Sequence, residues 1–466
     1  MATGRTTAIS GAALAASYGA GSLFFGFGWA WFPANVWHFV DQTALLTSPF
    51  ETLMCLHTQP PTLNALLWIA LTLSDGLGVS VEQSGFLLLA AFGWLGLWSL
   101  HRSVSLMAGA RLADLLTLMT ALSPCFMRHG HQFFYTIVVF ALVAFAHLQI
   151  IAYLRSPGGR RFVTLSASLL FLVLTRSLFP FPWAVLCLML VLGLGWWATR
   201  ETSHRSLVAT ATAFVVAIAV FALLPVKNYV LHGAFTSSSW QGLNLTRAIP
   251  NDRSSDLMVP YADADIVASE GGAVLPQNAC RTASVGAAER RTVLGAEGPN
   301  MHHDRNLLAM RPLSKEGVEW RISHPVEYFD NIVRFYGVAT RPSFSRQFGG
   351  TSPEDPAFAA YTAVVFAPLF AEASIGGGMT LSVFGLVILP AFVITAGLGI
   401  LICRRHDKIR ASVLLIGLLW VAWTVVLPIL TDGWESPRMR FGSLAPMIVT
   451  AAALVVVFRE KIQSKN

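Results

Sequence analysis

Charge is what this chain has least of. Only 12% of its 466 residues are Asp, Glu, Lys or Arg, about half of the roughly 25% usual in soluble domains. A water-facing surface over this length needs more, and a hydrophobic content of 54% points to lipid as the solvent. Cysteine is also scarce. Cys55, Cys125, Cys187, Cys280 and Cys403 form no CxxC pair, which excludes a zinc knuckle and a redox motif. Cys125 and Cys187 lie in apolar runs and read as small core residues; a disulfide through Cys280 stays open. No HExxH or GxSxG supports a zinc peptidase or serine hydrolase. The segment 34–61 contains no Lys or Arg.

What is present is a series of apolar runs, at about 9–32, 62–78, 84–100, 112–127, 133–154, 162–178, 181–199, 206–225, 358–373, 379–402, 411–430 and 441–458. Spanning a bilayer takes about 20 helical residues, and helices are expected because their backbones satisfy their own hydrogen bonds. The first run exceeds the roughly 7–15 residues of a signal-peptide core and reads as a retained membrane helix. The net charge of +7 comes largely from short-loop clusters. They are Arg102 with Arg111; Arg155, Arg160 and Arg161; Arg200 and Arg205; Arg404, Arg405, Lys408 and Arg410; and Arg459, Lys461 and Lys465. Basic residues so placed orient a membrane protein and argue against nucleic acid as a partner. If 62–78 crosses, the first two clusters fall outside; if it lies along the outer interface, every cluster is cytoplasmic. The same parity makes 358–373 juxtamembrane. The expected fold is therefore an all-α polytopic membrane protein with about ten transmembrane helices, juxtamembrane helices and one large outer-side loop domain. Both termini are cytoplasmic. The expected units are 1–225, containing the first outer loop 34–61, then the extracytoplasmic loop domain 226–357, then 358–466.

This sorting gathers the polar motifs on the non-cytoplasmic side. In the first outer loop, the spacing of Val36, Phe39, Val40, Ala44 and Leu45 predicts an amphipathic helix on the membrane with Asp41 on its polar side. An aspartate there is either a general base for a hydroxyl or a solvated carboxylate. In His57-Thr58-Gln59-Pro60-Pro61-Thr62-Leu63-Asn64 the prolines make a rigid corner that presents His57, Gln59 and Asn64. Arg128-His129-Gly130-His131-Gln132 is expected at a helix–helix turn, before Phe134 and Tyr135. Histidines at i, i+2 share no helix face, so this pair alone is a poor metal site. Arg176 falls near the outer end of a crossing, where an arginine either snorkels or acts. The long loop opens with Lys227-Asn228-Tyr229 and is Gly/Ala/Ser/Asp-rich over about 250–305. His324-Pro325 is expected to cap a helix with Tyr328, Ile332, Phe335 and Tyr336 on one face. In Glu435-Ser436-Pro437-Arg438-Met439-Arg440, two arginines at i, i+2 suit a phosphate clamp; the alternative is a salt bridge to Glu435.

In this order the motifs resemble those of the C-type glycosyltransferase superfamily (GT-C), which includes protein mannosyltransferases and the aminoarabinose transferase of lipid A. Asp41 matches the acidic residue of the first outer loop, and His57-Thr58-Gln59-Pro60-Pro61 resembles the H/K-PP segment. Ser123-Pro124 through Tyr135-Thr136 resembles the SP…E…YT stretch, and Glu435 to Arg440 resembles E-x-x-R-x-R. The resemblance covers most of 1–245 and 379–458. Asp41 stands alone where a pair of acids is common, Arg128-His129-Gly130-His131 replaces an acid, and Thr58-Gln59 is inserted. Donor sugar and cofactor therefore do not carry over, and a divalent metal is not indicated. The resemblance implies transfer of a sugar, with inversion, from a polyprenyl-phosphate donor to a glycan, lipid or protein acceptor outside the cytoplasm, in a plasma (inner) membrane. On that reading Asp41 is the base. Arg438, Arg440, Arg176 and Lys227 bind the donor phosphate, and His57, Gln59, Asn64, His129, Tyr135 and Glu435 contact substrate. The alternative is a transporter or flippase for a lipid-linked saccharide; the nearly uncharged crossings and absence of a clear repeat weigh against it.

Overall fold

The computed structural model describes residues 2–33, 38–199, 204–240, 244–245, 280, 290–300, 302, 304–341, 356–370, 372–376, 379–431 and 436–464. Eleven helices come first: α1 (Ala2–Phe25), α2 (Gln42–Thr47), α3 (Pro49–Cys55), α4 (Thr62–Leu77), α5 (Val81–Ala108), α6 (Ala110–Ala121), α7 (Pro124–His131), α8 (Tyr135–Arg155), α9 (Gly159–Thr175), α10 (Phe181–Thr199) and α11 (His204–His232). A small antiparallel hairpin follows, β1 (Arg290–Val293) with β2 (Ala296–Pro299). Helices Asp304–Ser323, Pro325–Ala339 and Pro356–Phe370 precede a second two-stranded hairpin, and helices Leu389–Cys403, Lys408–Thr431, Ser436–Phe441 and Leu444–Gln463 close the chain.

Helix α8 is apolar on every side and almost wholly buried, as a helix at the centre of a bundle should be. It packs against α5, α9, α10 and the Lys408–Thr431 and Leu444–Gln463 helices. Gly96 lets α5 approach: a Cβ there would lie 2.5 Å from the Phe140 ring and 3.2 Å from the Ala141 Cα. Small residues at such crossings allow the close packing that holds helices together in lipid.

Among the described residues, seven helices are long and apolar enough to cross a membrane. The pair α6–α7, bent by 58°, would make an eighth if it forms one span. The chain is thus an all-α polytopic membrane protein, with seven or eight such spans where the sequence suggests about ten. The difference lies in α9, which has 17 residues, and in Leu444–Gln463, whose end carries Arg459, Glu460 and Lys461. The 62–78 run forms the 16-residue helix α4, roughly 24 Å long against the ~30 Å of a hydrocarbon core.

From His38 onward the first loop departs from the expected amphipathic helix; Val36 lies outside the described residues. Phe39 and Val40 precede any helix and are fully buried. Asp41 is the N-cap of the short helix α2, accepting from the Ala44 N–H at 3.0 Å. A capping carboxylate starts a helix at 42 because it satisfies an otherwise orphaned donor. The expected 128–132 turn is the end of helix α7, capped by Ser123 with Pro124 at its first position. His324 does precede Pro325 at the start of a helix, and Tyr328, Ile332, Phe335 and Tyr336 pack against Leu389, Val421, Val425 and Ile429.

Candidate functional site

The start of α8, the end of α9, the start of α10, the segment after α11 and the end of the Lys408–Thr431 helix surround a cavity of about 250 Å³. Its walls include His38, Gln59, Tyr135, Arg176, Ser177, Ser237, Ser238, Trp240, Asn244 and Thr431, with Leu178, Pro180, Trp423 and Leu427 as an apolar side. Of the sequence-predicted residues, Gln59, Tyr135 and Arg176 line it directly.

Two cations meet at Tyr135. The Arg176 guanidinium lies 4.5 Å from the centre of the Tyr135 ring, and that of Arg438 lies 5.3 Å from it and 4.5 Å from the Phe134 ring. Arg438 Nη2 also donates to Tyr135 Oη at 3.1 Å. Both arginines are buried; aromatic faces and a phenol oxygen attract guanidinium groups under such conditions. Among the described residues, no Asp or Glu lines the cavity. The Arg176 cation in its lining and its apolar side suit an anionic group that carries a hydrocarbon.

Arg440 lies elsewhere. Its Nη1 and Nη2 donate to the carbonyls of Ala339 and Arg341, each at 2.7 Å, and its guanidinium sits 4.4 Å from the Phe384 ring. It closes the C-terminal end of the Pro325–Ala339 helix, where carbonyls lack helical partners. The structure does not bring the expected Arg438–Arg440 pair together: Arg438 faces Tyr135, and Arg440 anchors a helix end. Lys227 Nζ likewise donates to the Leu56 carbonyl at 2.5 Å, on the first loop. His129 packs on Phe441 at 4.9 Å between ring centres, whereas His131 Nδ1 reaches the Gly28 carbonyl at 3.0 Å. Glu435 lies outside the described residues.

The remaining residues hold the segments that carry the cavity's wall. Asn64 is fully buried; its Oδ1 accepts from Val40 N and its Nδ2 donates to the His38 carbonyl, both at 3.0 Å. It therefore positions the first loop from the start of α4. His57 Nε2 donates to the His302 carbonyl at 2.9 Å, which makes Nδ1 the acceptor for the Ser239 hydroxyl at 2.8 Å. Asp41 lies behind this wall. Its Oδ1 caps α2, and its Oδ2 accepts from Thr292 N at 2.8 Å. Gln42 Oε1 accepts from Leu294 N at 2.9 Å, so adjacent residues hold β1. Arg291 is buried here; burial lowers its guanidinium to about 10 while Asp41 acts in the opposite direction.

A disulfide ties the same two segments, joining Cys55 to Cys280 with Cα atoms 5.3 Å apart and a sequence separation of 225. The sequence left Cys280 open, and no spacing rule identifies Cys55 as its partner. Cys55→Ser is expected to destabilise the protein by about 2–5 kcal/mol, read as a lower Tm. An unchanged Tm would show that the bridge adds nothing to the fold.

His302 adds a pH dependence. Burial holds its imidazole well below the usual histidine range, with the cations Lys227 and Arg291 acting in the same direction. The folded state then binds fewer protons than the unfolded chain, so stability rises with pH. The contribution is complete above the unfolded value of roughly 6.5 and declines as pH falls below it, by up to about 1.4 kcal/mol per pH unit. Amide exchange corrected for intrinsic rates should show protection at Thr292 and Leu294 declining from pH 7 to 5. Constant protection would contradict this account.

Sequence reasoning missed His38 and Trp240. His38 stands three residues before Asp41, in a stretch that reads as membrane-facing, and Trp240 becomes part of the wall only when the segment after α11 folds back onto His57.

No protein-family model matches the chain, and no curated protein does. Solved structures similar to it in part include two oligosaccharyltransferases. One is the archaeal oligosaccharyltransferase AglB from Archaeoglobus fulgidus, in complex with an inhibitory peptide and a dolichol-phosphate (14% identity, TM-score 0.46, 98% of this chain and 50% of that one). The other is the Archaeoglobus fulgidus oligosaccharyltransferase complex with Zn and sulfate (12% identity, TM-score 0.41, 98% of this chain and 49% of that one). The chain spans about half the length of each.

Proposed function

We propose that this protein is a membrane glycosyltransferase that moves a sugar from a polyprenyl-phosphate carrier to a hydroxyl of a glycan, lipid or protein acceptor. The observation that carries the reading is Arg176 on the wall of a cavity whose lining includes no described carboxylate, with Arg438 held against the same Tyr135 that lines it. Breaking a sugar–phosphate bond leaves charge on the phosphate, and fixed cations stabilise that charge in a water-poor site. The apolar side formed by Leu178, Pro180 and Leu427 suits the first units of the prenyl chain. Attack by the acceptor from the opposite side of the anomeric carbon gives inversion.

On this reading the reaction runs at the non-cytoplasmic face of a plasma (inner) membrane. The Cys55–Cys280 bridge supports that side, because disulfides persist in oxidising compartments. The basic clusters between the apolar runs support cytoplasmic termini. Asp41 holds β1 through one carboxylate oxygen and caps α2 through the other. In this arrangement it positions the loop, and meeting an acceptor would require β1 to move.

Binding of a polyprenyl methyl phosphate to the purified full-length protein in nanodiscs tests the reading. The native protein should bind the probe, and Arg176→Ala should bind it at least about tenfold more weakly, since one charge-assisted contact contributes about 1.5–3 kcal/mol. Equal affinity of the two would overturn the proposed phosphate site.

A further inference from the structure

The remaining chemical question is where the acceptor's proton goes. Every described residue on the cavity wall can be examined for this role, and no carboxylate is among them. Arg176 stays protonated, and Tyr135 is a phenol that accepts a hydrogen bond from Arg438. Serine, threonine, glutamine and asparagine side chains do not take up a proton near neutrality. His38 does, because imidazole titrates in that range.

The surroundings of His38 fix its place. The residue is buried, and its ring meets those of Trp240 at 5.0 Å, Phe134 at 5.1 Å and Tyr135 at 5.6 Å between centres, in edge-to-face geometry. Its backbone carbonyl is held by Asn64. Three aromatic rings and a fixed backbone limit the imidazole to few orientations, which is what a group acting on a bound hydroxyl needs. The charged and titratable groups around it are Tyr135 at the start of α8, Arg176 after α9, Arg438 across Phe134 and Tyr135, and His302 from the segment after β2.

We propose that His38, facing the cavity, is the general base of this site, and that Asp41 is a positioning residue. This inference rests on the glycosyl-transfer reading and deepens it. The acceptor oxygen bonds to the anomeric carbon while its proton passes to a ring nitrogen of His38. The bond from that carbon to the phosphate oxygen breaks, and its electron pair stays on the phosphate beside Arg176 and Arg438.

The test uses native protein, His38→Gln and Asp41→Asn in nanodiscs, with His38→Asn replacing His38→Gln if yield is poor. Sugar transfer from a labelled polyprenyl-phosphate sugar is measured from pH 5 to 8, together with binding of polyprenyl methyl phosphate, a diester that does not titrate in this range. Native transfer should fall tenfold per pH unit on the acidic side, and His38→Gln should lose on the order of 10²–10⁴-fold in rate together with that acidic limb. Asp41→Asn should keep the limb. Protonating His38 adds a cation to the cavity, so native probe binding should tighten as pH falls, and His38→Gln binding should not. A His38→Gln protein with native transfer and a native limb would overturn the inference while leaving the phosphate site standing. A native protein that neither binds the probe nor transfers sugar would overturn the glycosyl-transfer reading, and this inference with it.

Discussion

Arg438→Ala is expected to reduce sugar transfer by about 10²–10³-fold, the usual cost of removing one preorganised group that stabilises developing negative charge. The effect should fall mainly on kcat, because the charge on the phosphate grows as the bond breaks. Arg438→Lys should recover little. The native guanidinium lies 4.5 Å from the Phe134 ring and bonds Tyr135 Oη at the same time, and an ammonium lacks the flat face and fixed fork that allow both. Stability should fall by about 1.5–3 kcal/mol, since the bond to Tyr135 is made by a charged guanidinium. The check is transfer and thermal unfolding on the same preparations at matched expression. A variant with native transfer would remove Arg438 from the site.

Arg440→Ala should do the reverse. Native Arg440 is buried and bonds two carbonyls at the end of the Pro325–Ala339 helix. Removing it leaves both acceptors without that donor, at about 1–3 kcal/mol each, so a loss of about 3 kcal/mol and a clearly lower Tm are expected. Binding of polyprenyl methyl phosphate by the folded fraction should be close to native. Arg440 lies two residues from Arg438, and the sequence presents them as equivalents. A variant with unchanged Tm and abolished probe binding would restore the two-arginine clamp.

The contrast between these arginines shows what was legible in the sequence. Most of the apolar runs appear as helices because each must satisfy its backbone internally and bury its sides in lipid or protein; the end of the 358–373 run and the start of the 379–402 run instead pair as strands Glu372–Gly376 and Met379–Ser382. The polar stretches near Gln59, Tyr135 and Arg176 do converge on one cavity. The direction of individual side chains was not legible, because it depends on partners far along the chain. Arg440 is turned by Ala339 and Arg341, and Asp41 by Thr292. Lys227 is turned by Leu56, and Cys55 is tied to Cys280. The hydrophobic period over 36–45 suggested a helix, but tertiary burial of Phe39 and Val40 overrides it and the cap at Asp41 starts the helix later. His38 carried no signal because a histidine among apolar residues is ordinarily a core residue; only the cavity gives it chemistry.

The most direct test of the central claim is sugar transfer from labelled polyprenyl-phosphate sugars to endogenous acceptors in membranes, comparing the native protein with an Arg176→Ala/Arg438→Ala double variant at matched expression. The account predicts label in an acceptor with the native protein and a loss of at least about 100-fold in the double variant. Equal labelling by the two would contradict it, because a sugar–phosphate bond would then be broken without the cations that this cavity brings together.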